Sequence, residues 1–320
     1  MKITKCILLF FLTIPVLYSL PEKSALYELD YGAKITRNSG VFGSFRLGLP
    51  VFMENAFQKV HSISVNQTPS EEIVSRPHTL KYFFFTPAEI LNKNKTVEFK
   101  ITLRLEKKLK KISIENLPWK PYEKSSELYK NYTQGDGFFQ TENPYALKIA
   151  SLVKTLSYPE KVRFIFNHVR KLLRYHAGYR RYRTFSEILS TRAGDCSDYS
   201  TFLVTLLRAA GIPARNVTGR ILNQTLRGTW HAWVEYYSKG FGWVPCDPAN
   251  LEITDNKILV GYMPLKYASV HTGVNIPLAK GLKTRSLPVI QTYFYFYEPK
   301  LGKPYPRFTF DFIWKLKRLQ

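Results

Sequence analysis

The chain is poor in cysteine. Its 320 residues include three cysteines, Cys6, Cys196 and Cys246, and the first lies in an N-terminal apolar run. The other two cannot form the disulfide framework that holds small secreted domains together. A single bridge between Cys196 and Cys246 is chemically possible, but it would consume a thiol whose neighbours mark it as functional. With 45% apolar and 15% aromatic residues, the chain has enough material for a substantial core and two globular domains.

Long apolar segments are also scarce. The N-terminal run, residues 6–17, is interrupted by Thr13 and Pro15 and is shorter than the about 20 residues of a membrane-spanning helix. Lys2 and Lys5 precede it, and such a basic start is typical of a secretory signal. We therefore predict a signal peptide over residues 1–19, no membrane span after its removal, and a periplasmic or secreted protein. If the segment is not cleaved, it would act as an N-terminal anchor.

Acidic residues are few. The chain has 24 Asp and Glu against 47 Lys and Arg, a formal net charge of +23. A charge this positive favours anionic partners such as acidic polymers of the cell envelope, although a solvated basic surface explains it equally well. Arg180, Arg181 and Arg183 lie just before Cys196, so we predict that they bind an anionic part of the substrate. No motif indicates specific recognition of nucleic acid.

The first half of the chain alternates β-rich runs with turn residues. Four runs have the character of strands, over residues 44–49, 58–65, 80–85 and 97–105. In the last of them, apolar residues at odd positions alternate with polar ones, as in a half-buried antiparallel strand. We therefore predict an antiparallel β-sandwich over residues 20–116.

Beyond residue 116 the pattern changes twice. Residues 117–143 are rich in Tyr, Pro, Gly and Lys without a sustained period, so we predict a connecting segment. From Pro144 onward, apolar residues recur every three to four positions, which indicates helices. Strand-like runs follow, and a β-rich tail begins near residue 261. We assign residues 144–320 to one domain of helices packed on an antiparallel sheet, which makes the chain an α+β protein.

Cys196 stands at the start of an apolar helix. Gly194 and Asp195 precede it, and Gly211 followed by Pro213 ends the helix. A neutral thiol is a weak nucleophile at pH 7, and a helix N-terminus and a neighbouring imidazolium are the usual means of ionising it. The N–H groups of the first helical turn can also stabilise an oxyanion, and Gly194 would let a substrate backbone approach.

His231 and Asp247 are predicted to face one another across a hairpin. If residues 238–240 form a three-residue turn, Tyr237 pairs with Phe241 and His231 falls directly opposite Asp247. Such residues have Cβ atoms about 4.5–5.5 Å apart. The carboxylate would then accept the imidazole N–H and fix the tautomer of the ring.

The sequence does not indicate a metal or a cofactor. Cys246 would point to the opposite face of the hairpin, so we predict a core thiol. A zinc site made of both cysteines, His231 and Asp247 lacks the close-spaced ligand pair that is usual for zinc. The chain also lacks a phosphate-binding glycine loop and a serine-nucleophile elbow.

Several motifs between residues 144 and 260 occur together in one family of cysteine enzymes. They are Gly194-Asp195-Cys196-Ser197-Asp198, Leu207-Arg208-Ala209-Ala210-Gly211-Ile212-Pro213-Ala214-Arg215, Gly219, Trp230-His231-Ala232-Trp233, Gly242-Trp243 and Asp247-Pro248. In these residues the chain resembles the transglutaminase-like superfamily, a circularly rearranged relative of the papain-type peptidases. The resemblance implies Cys196 as nucleophile, His231 as general base and acid, and Asp247 as the orienting carboxylate. The N-terminal half is similar to the β-domain that often precedes bacterial members.

Substrate binding is less sharply defined. The family's second oxyanion donor is often an aromatic side chain, for which Tyr175 and Tyr179 are candidates. We expect Trp230 to form part of the cleft wall. The predicted substrate-binding residues are Gly194, Trp230, Tyr179, Arg180, Arg181 and Arg183.

These observations predict an exported cysteine enzyme that attacks an amide of a peptide or protein substrate through a thioester. The resemblance to members outside the animal enzymes favours a peptidase or amidase over a cross-linking transglutaminase. The alternative is a non-catalytic scaffold that keeps this fold and holds an anionic envelope polymer on its basic surface. The two hypotheses differ in whether Cys196 is needed for the biological activity.

Overall fold

A computed structural model describes residues 23–75, 78–88, 91, 95–179, 181–223, 230–250, 252–253, 255–278 and 286–320. The predicted signal peptide and Arg180 therefore lie outside the described residues. None of the helices formed by these residues is long and apolar enough to cross a membrane.

Strands account for most of the regular structure. In chain order they are β1 (Ser24–Ser39), β2 (Phe42–Val51), β3 (Gln58–Val65), β4 (Glu71–Ser75), β5 (Leu80–Phe85), β6 (Thr96–Lys108), β7 (Lys110–Lys111), β8 (Arg174–Tyr175), β9 (Ala193–Gly194), β10 (Ala214–Ile221), β11 (Trp230–Ser238), β12 (Gly242–Cys246), β13 (Tyr262–Met263), β14 (Tyr267–Thr272), β15 (Ile276–Pro277), β16 (Ser286–Leu287), β17 (Phe294–Pro299) and β18 (Arg307–Arg318). The α-helices are α1 (Glu127–Thr133), α2 (Pro144–Leu152), α3 (Tyr158–Leu172), α4 (Phe185–Thr191), α5 (Cys196–Ala209) and α6 (Asn256–Leu259), and a 3-10 turn covers Ile114–Asn116.

The N-terminal half forms the predicted antiparallel β-sandwich. One sheet has the strand order β18-β1-β6-β3 and the other β17-β2-β5-β4. The four predicted runs correspond to β2, β3, β5 and β6. Alternate residues of β1 and β6 are buried, because successive side chains of a strand point to opposite faces and one face covers the core.

The C-terminal tail belongs to this sandwich, not to the domain of residues 144–320 to which the sequence assigned it. Strand β18 pairs with β1 along almost its full length, and β17 pairs with β2. Each of these two strands covers the edge of its partner, β1 or β2, which would otherwise expose unpaired backbone groups. Phe308, Phe310 and Phe312 of β18 pack against the sandwich core. The other predicted boundaries, at residues 117 and 143, stay predictions.

The second half has helices on an antiparallel sheet, which confirms the predicted α+β architecture. The sheet has the order β12-β11-β10-β14. Helix α5 is central, since it contacts α2, α3, α4 and strands β10 and β11 and nearly every one of its residues is buried. It ends before Gly211, whose positive φ of 73° is typical of a glycine that terminates a helix.

The hairpin of β11 and β12 positions the candidate catalytic residues, but its predicted register is wrong. Ser238 pairs with Gly242 and Tyr237 with Trp243, a shift of two residues from the prediction. The turn therefore contains residues 239–241. Because side chains alternate with a period of two, an even shift keeps each of them on its predicted face. His231 and Asp247 become diagonal neighbours, which are still within reach of long side chains.

Sandwich and sheet are joined through buried polar contacts. The Gln58 amide of β3 donates to the carbonyl oxygen of Ser269 at 2.8 Å and accepts the Ser269 N–H at 2.9 Å. Lys107, which is fully buried, donates to the same Gln58 carbonyl oxygen at 3.0 Å. Burial lowers the pKa of Lys107 to about 7, although the nearby Glu235 charge opposes this. Strand β14 is therefore held by the N-terminal half of the chain.

Candidate active site

Cys196 is the first residue of α5, as predicted. Asp195 is the N-cap, and its carboxylate accepts the N–H groups of Ser197 and Asp198 at 2.8 and 3.2 Å. The Asp198 carboxylate in turn accepts the Asp195 N–H at 3.0 Å, which completes a capping box. The cap uses the second and third amides of the helix. The Cys196 N–H lies outside the cap and is the amide left for an oxyanion.

His231 lies between Cys196 and Asp247. Its Nε2 is 2.7 Å from Asp247 Oδ2, and the Cys196 side chain lies near enough to the ring to raise its pKa. Because Asp247 occupies Nε2, Nδ1 is the ring nitrogen available to the sulfur. The structure therefore brings together the three residues that the sequence selected, in the order thiol, imidazole and carboxylate.

The neighbours of His231 favour the protonated form of its imidazole. Burial by itself lowers the pKa of the imidazole, but the Asp247 carboxylate and the Cys196 sulfur outweigh it and raise the pKa to about 10. A histidine that keeps its proton at neutral pH is an ion-pair partner for a thiolate and a proton donor for a leaving amine. The site thus places a protonated imidazole beside the Cys196 sulfur.

Asp247 is held by residues that sequence reasoning missed. Its Oδ1 accepts the Ala249 N–H at 3.0 Å, and its Oδ2 accepts the Tyr267 hydroxyl at 2.9 Å. Arg170 of α3 donates to the carbonyl oxygens of Pro248 and Asn250 at 3.1 and 2.7 Å, which fixes the loop after the carboxylate. Neither Tyr267 nor Arg170 stands in a motif, so no local signal in the sequence points to them.

Cys246 is a buried core thiol, as predicted. It packs with Val234, Tyr236 and Val244 on the helical side of the sheet, and both cysteines are free. Burial, with the nearby Asp247 and Glu235 charges, raises the pKa of its thiol well above the usual value. The only described thiol that contacts the imidazole is therefore Cys196.

Of the two candidate oxyanion donors, Tyr175 and Tyr179, it is Tyr175 that lies beside the segment leading to Cys196. Its strand, β8, pairs with Ala193–Gly194 immediately before the nucleophile. Burial, followed by the charges of Cys196, Asp195 and Asp247, raises the pKa of Tyr175 to about 12, so its hydroxyl keeps its proton. Tyr179 instead lies over the Arg183 guanidinium, whose carbon is 3.4 Å from the ring centroid.

The other predicted substrate-binding residues have mainly structural contacts. Arg183 is buried and forms an ion pair with Asp198 at 2.7 Å, while Arg181 pairs with Glu187 at the surface. Gly194 is buried, and a Cβ there would lie 2.3 Å from the Asp198 Cβ, so the glycine makes room for Asp198. Trp230 keeps one exposed side but stacks on Arg220, with 3.7 Å from ring centroid to guanidinium carbon.

The ion pair of Arg183 and Asp198 supports the helix start that carries Cys196. Replacing Arg183 by methionine leaves the buried Asp198 carboxylate without its cation, so we expect the free energy of unfolding to fall by about 3–5 kcal/mol. Urea denaturation measures this loss. The matched control is Arg181→Met, whose exposed partner is Glu187 and whose stability should hardly change. Equal small losses in both variants would contradict the assigned role of the buried pair.

Comparison with known proteins finds a family match over part of the chain. A model of the family described as the transglutaminase-like superfamily matches residues 143–248. A protein-glutamine gamma-glutamyltransferase of Pseudomonas aeruginosa is 40% identical over 72 residues, which is 19% of this chain and 10% of that protein. An uncharacterized protein of Mycobacterium leprae is 36% identical over 76 residues, 21% of this chain and 26% of that protein. The chain thus spans about a quarter or less of the length of these curated relatives.

One solved structure resembles the whole fold. The crystal structure of a candidate cysteine protease of Cytophaga hutchinsonii has a TM-score of 0.62 and 17% identity, and covers 93% of this chain and 92% of that one. At that identity the likeness concerns the fold, including the β-sandwich before the helical domain. Residues 143–248 thus match the transglutaminase-like superfamily, and in this chain that region is combined with an N-terminal β-domain.

Proposed function

We propose that this protein is an exported cysteine enzyme that cleaves an amide bond through a thioester intermediate. The observation that carries the proposal is His231, whose ring contacts the Cys196 side chain and, through Nε2, the Asp247 carboxylate. An imidazole between a thiol and a carboxylate is the arrangement that activates a nucleophile and returns the proton to the leaving group. The match of residues 143–248 to the superfamily supports the general class, a cysteine-dependent acyltransferase or hydrolase.

The first half-reaction would form the acyl-enzyme. The Cys196 thiolate attacks the carbonyl carbon of the substrate, and a bond between sulfur and carbon forms while the negative charge moves to the carbonyl oxygen. The Cys196 N–H and the Tyr175 hydroxyl would donate to that oxygen. When the oxyanion collapses, the carbon–nitrogen bond breaks, and the proton on His231 passes to the leaving amine.

The second half-reaction decides between hydrolysis and transfer. Neutral His231 takes a proton from water or from an amine, and the resulting nucleophile attacks the thioester and restores the Cys196 thiolate. Water as the acceptor gives a peptidase or amidase, and a lysine-type amine gives a cross-link. We propose hydrolysis of a peptide or protein substrate as the activity, outside the cytoplasm.

The non-catalytic alternative has less support than the enzyme hypothesis. It needed Arg180, Arg181 and Arg183 as a free cationic surface, but Arg183 is buried against Asp198 and Arg181 is paired with Glu187. No observation on the described residues favours a scaffold that holds an anionic polymer. The enzyme hypothesis is therefore retained as the proposed function.

Differential alkylation of the two thiols tests the proposal without knowledge of the substrate. At pH 6, iodoacetamide is expected to label Cys196 at least about a hundredfold faster than Cys246, because thiolate character controls the rate. Burial suppresses ionisation of Cys246 by raising its pKa. Peptide mass spectrometry after timed quenching gives both rates. Equal, slow labelling of both thiols would argue against an activated nucleophile.

The matched variant for this measurement is His231→Asn. It removes the cation that stabilises the thiolate while keeping a side chain of similar polarity. Labelling of Cys196 at pH 6 should then slow towards the rate of an ordinary thiol, and labelling of Cys246 should not change. A Cys196 rate that is independent of the histidine would show that the imidazole does not activate the sulfur.

A further inference from the structure

Asp247 Oδ2 accepts hydrogen bonds from two donors. His231 Nε2 lies 2.7 Å from it and the Tyr267 hydroxyl 2.9 Å. The carboxylate must therefore share the charge on one oxygen between an imidazole and a phenol. Because a hydrogen bond strengthens with the charge that its acceptor keeps, the tyrosine competes directly with the histidine for Asp247.

The Tyr267 hydroxyl has little freedom to turn elsewhere. Its side chain is 4% exposed, and its ring meets the His231 ring edge to face with 4.7 Å between centroids. The Asn250 side-chain amide donates to the phenol oxygen at 3.2 Å, which leaves the hydroxyl proton for Asp247. Burial, with the Asp247 charge, raises the pKa of Tyr267, so the phenol remains a donor.

The strand that carries Tyr267 is anchored from outside the catalytic half. Two residues further along β14, Ser269 is held through both its N–H and its carbonyl oxygen by Gln58 of the β-sandwich. The Gln58 amide also donates to the Met53 carbonyl oxygen at 2.6 Å and accepts from Lys107. This network ties the strand that carries Tyr267 to the β-sandwich.

We propose that Tyr267 is a positioning residue that limits the strength of the hydrogen bond between Asp247 and His231, and that the β-sandwich sets its place through Gln58. The importance of this pair rests on the proposed function, but its geometry does not. Removal of the phenol hydroxyl would return charge to Asp247 and stabilise the imidazolium further. The histidine would then release its proton less readily, which slows any step that needs a neutral base.

The test compares Tyr267→Phe with Tyr236→Phe. Tyr236 is a matched control, because it is fully buried on β11 and its hydroxyl has no hydrogen-bond partner among the described residues. Both changes are made in full-length Cys196→Ala protein, since loss of the sulfur removes one of the influences that raise the pKa of His231. The readout is the titration of the 15N-labelled His231 ring by NMR.

Tyr267→Phe should move the His231 titration upward by about half a pH unit to one unit, as expected for one hydrogen bond to a charged group. Tyr236→Phe should leave it in place. A stronger donor at the same position, 3-fluorotyrosine in place of Tyr267, should move the titration downward. A merely structural role of Tyr267 would not produce shifts of opposite sign.

An unchanged His231 titration in both Tyr267 variants would overturn the proposal. Asp247→Asn serves as the positive control, because it must lower the His231 titration if the two side chains interact. Failure of the proposed function is separate and recognisable: Cys196 would alkylate slowly in otherwise native protein while the His231 shifts remained. If Tyr267→Phe does not fold, the 3-fluorotyrosine protein, which keeps the phenol hydroxyl, still gives the sign.

Discussion

Replacing Cys196 by alanine is expected to lower the rate of amide cleavage by at least about 10⁵-fold, because the variant has no atom that can form the acyl-enzyme. The fold should survive, since alanine is small, suits a helix and leaves the capping box of Asp195 and Asp198 intact. The measurement is mass spectrometry of cell-envelope material incubated with each protein. Products with the mass of added water indicate hydrolysis, and linked products with loss of ammonia indicate transfer.

Cys246→Ala is the matched control for this comparison. That thiol is buried in the core and faces away from His231, so its loss should reduce stability modestly and leave the products unchanged. If Cys196→Ala and wild-type protein release the same products, the enzyme hypothesis is wrong and the biological activity must come from binding. If only Cys246→Ala is inactive with its fold intact, the nucleophile has been assigned to the wrong cysteine.

Replacing Asp247 by asparagine is expected to cost about 10³–10⁴-fold in activity, as the same change does in other catalytic triads, where it stabilises the wrong tautomer. The amide keeps the shape of the side chain but removes the charge that raises the pKa of His231. Burial is then opposed by the Cys196 sulfur alone, so the pKa of His231 falls. The imidazolium would persist only at lower pH than in the wild-type protein.

The pH dependence of Cys196 alkylation reports this change. Its alkaline limb reflects the thiol and imidazole as a coupled pair, and it should move to lower pH in Asp247→Asn. Glu252→Gln is the control, because this acid lies nearby in the chain and its exposed side chain pairs with Lys266 at the surface. An alkaline limb that stays in place in Asp247→Asn would mean that the carboxylate does not set the charge state of His231.

Local signals in the sequence predicted much of the half of the chain that carries the candidate site. A polar residue before an apolar helix and a glycine after it marked both ends of α5, because capping is satisfied within a few residues. The hairpin argument selected His231 and Asp247 despite the wrong register. A register shift of two residues leaves each side chain on the same face of the hairpin. The turn conformation, with Gly240 and Gly242 both at positive φ, has no equally clear signature in the sequence.

Long-range pairing explains most of what the sequence did not predict. Strand β1 was overlooked although its apolar residues alternate, and the tail was assigned to the wrong half because nothing near β18 indicates that its partner lies almost 300 residues earlier. The basic cluster near Cys196 was given a binding role, yet Arg183 is buried against Asp198. A charge count cannot distinguish an arginine that binds ligand from one that neutralises a buried carboxylate.

The sequence by itself determined the chemical type of the site: a cysteine at a helix start, and a histidine and an acid on one face of a hairpin. Tertiary structure alone decided which groups support that site. Tyr267 and Arg170 come from separate elements and meet near Asp247 only in the folded chain. Gln58 reaches the strand of Tyr267 only when the sandwich and the sheet pack together. The physical reason is the distance in sequence between the interacting residues. Helix caps and the alternation of strand side chains are set within a few residues, whereas hydrogen bonds between distant segments depend on the assembled core.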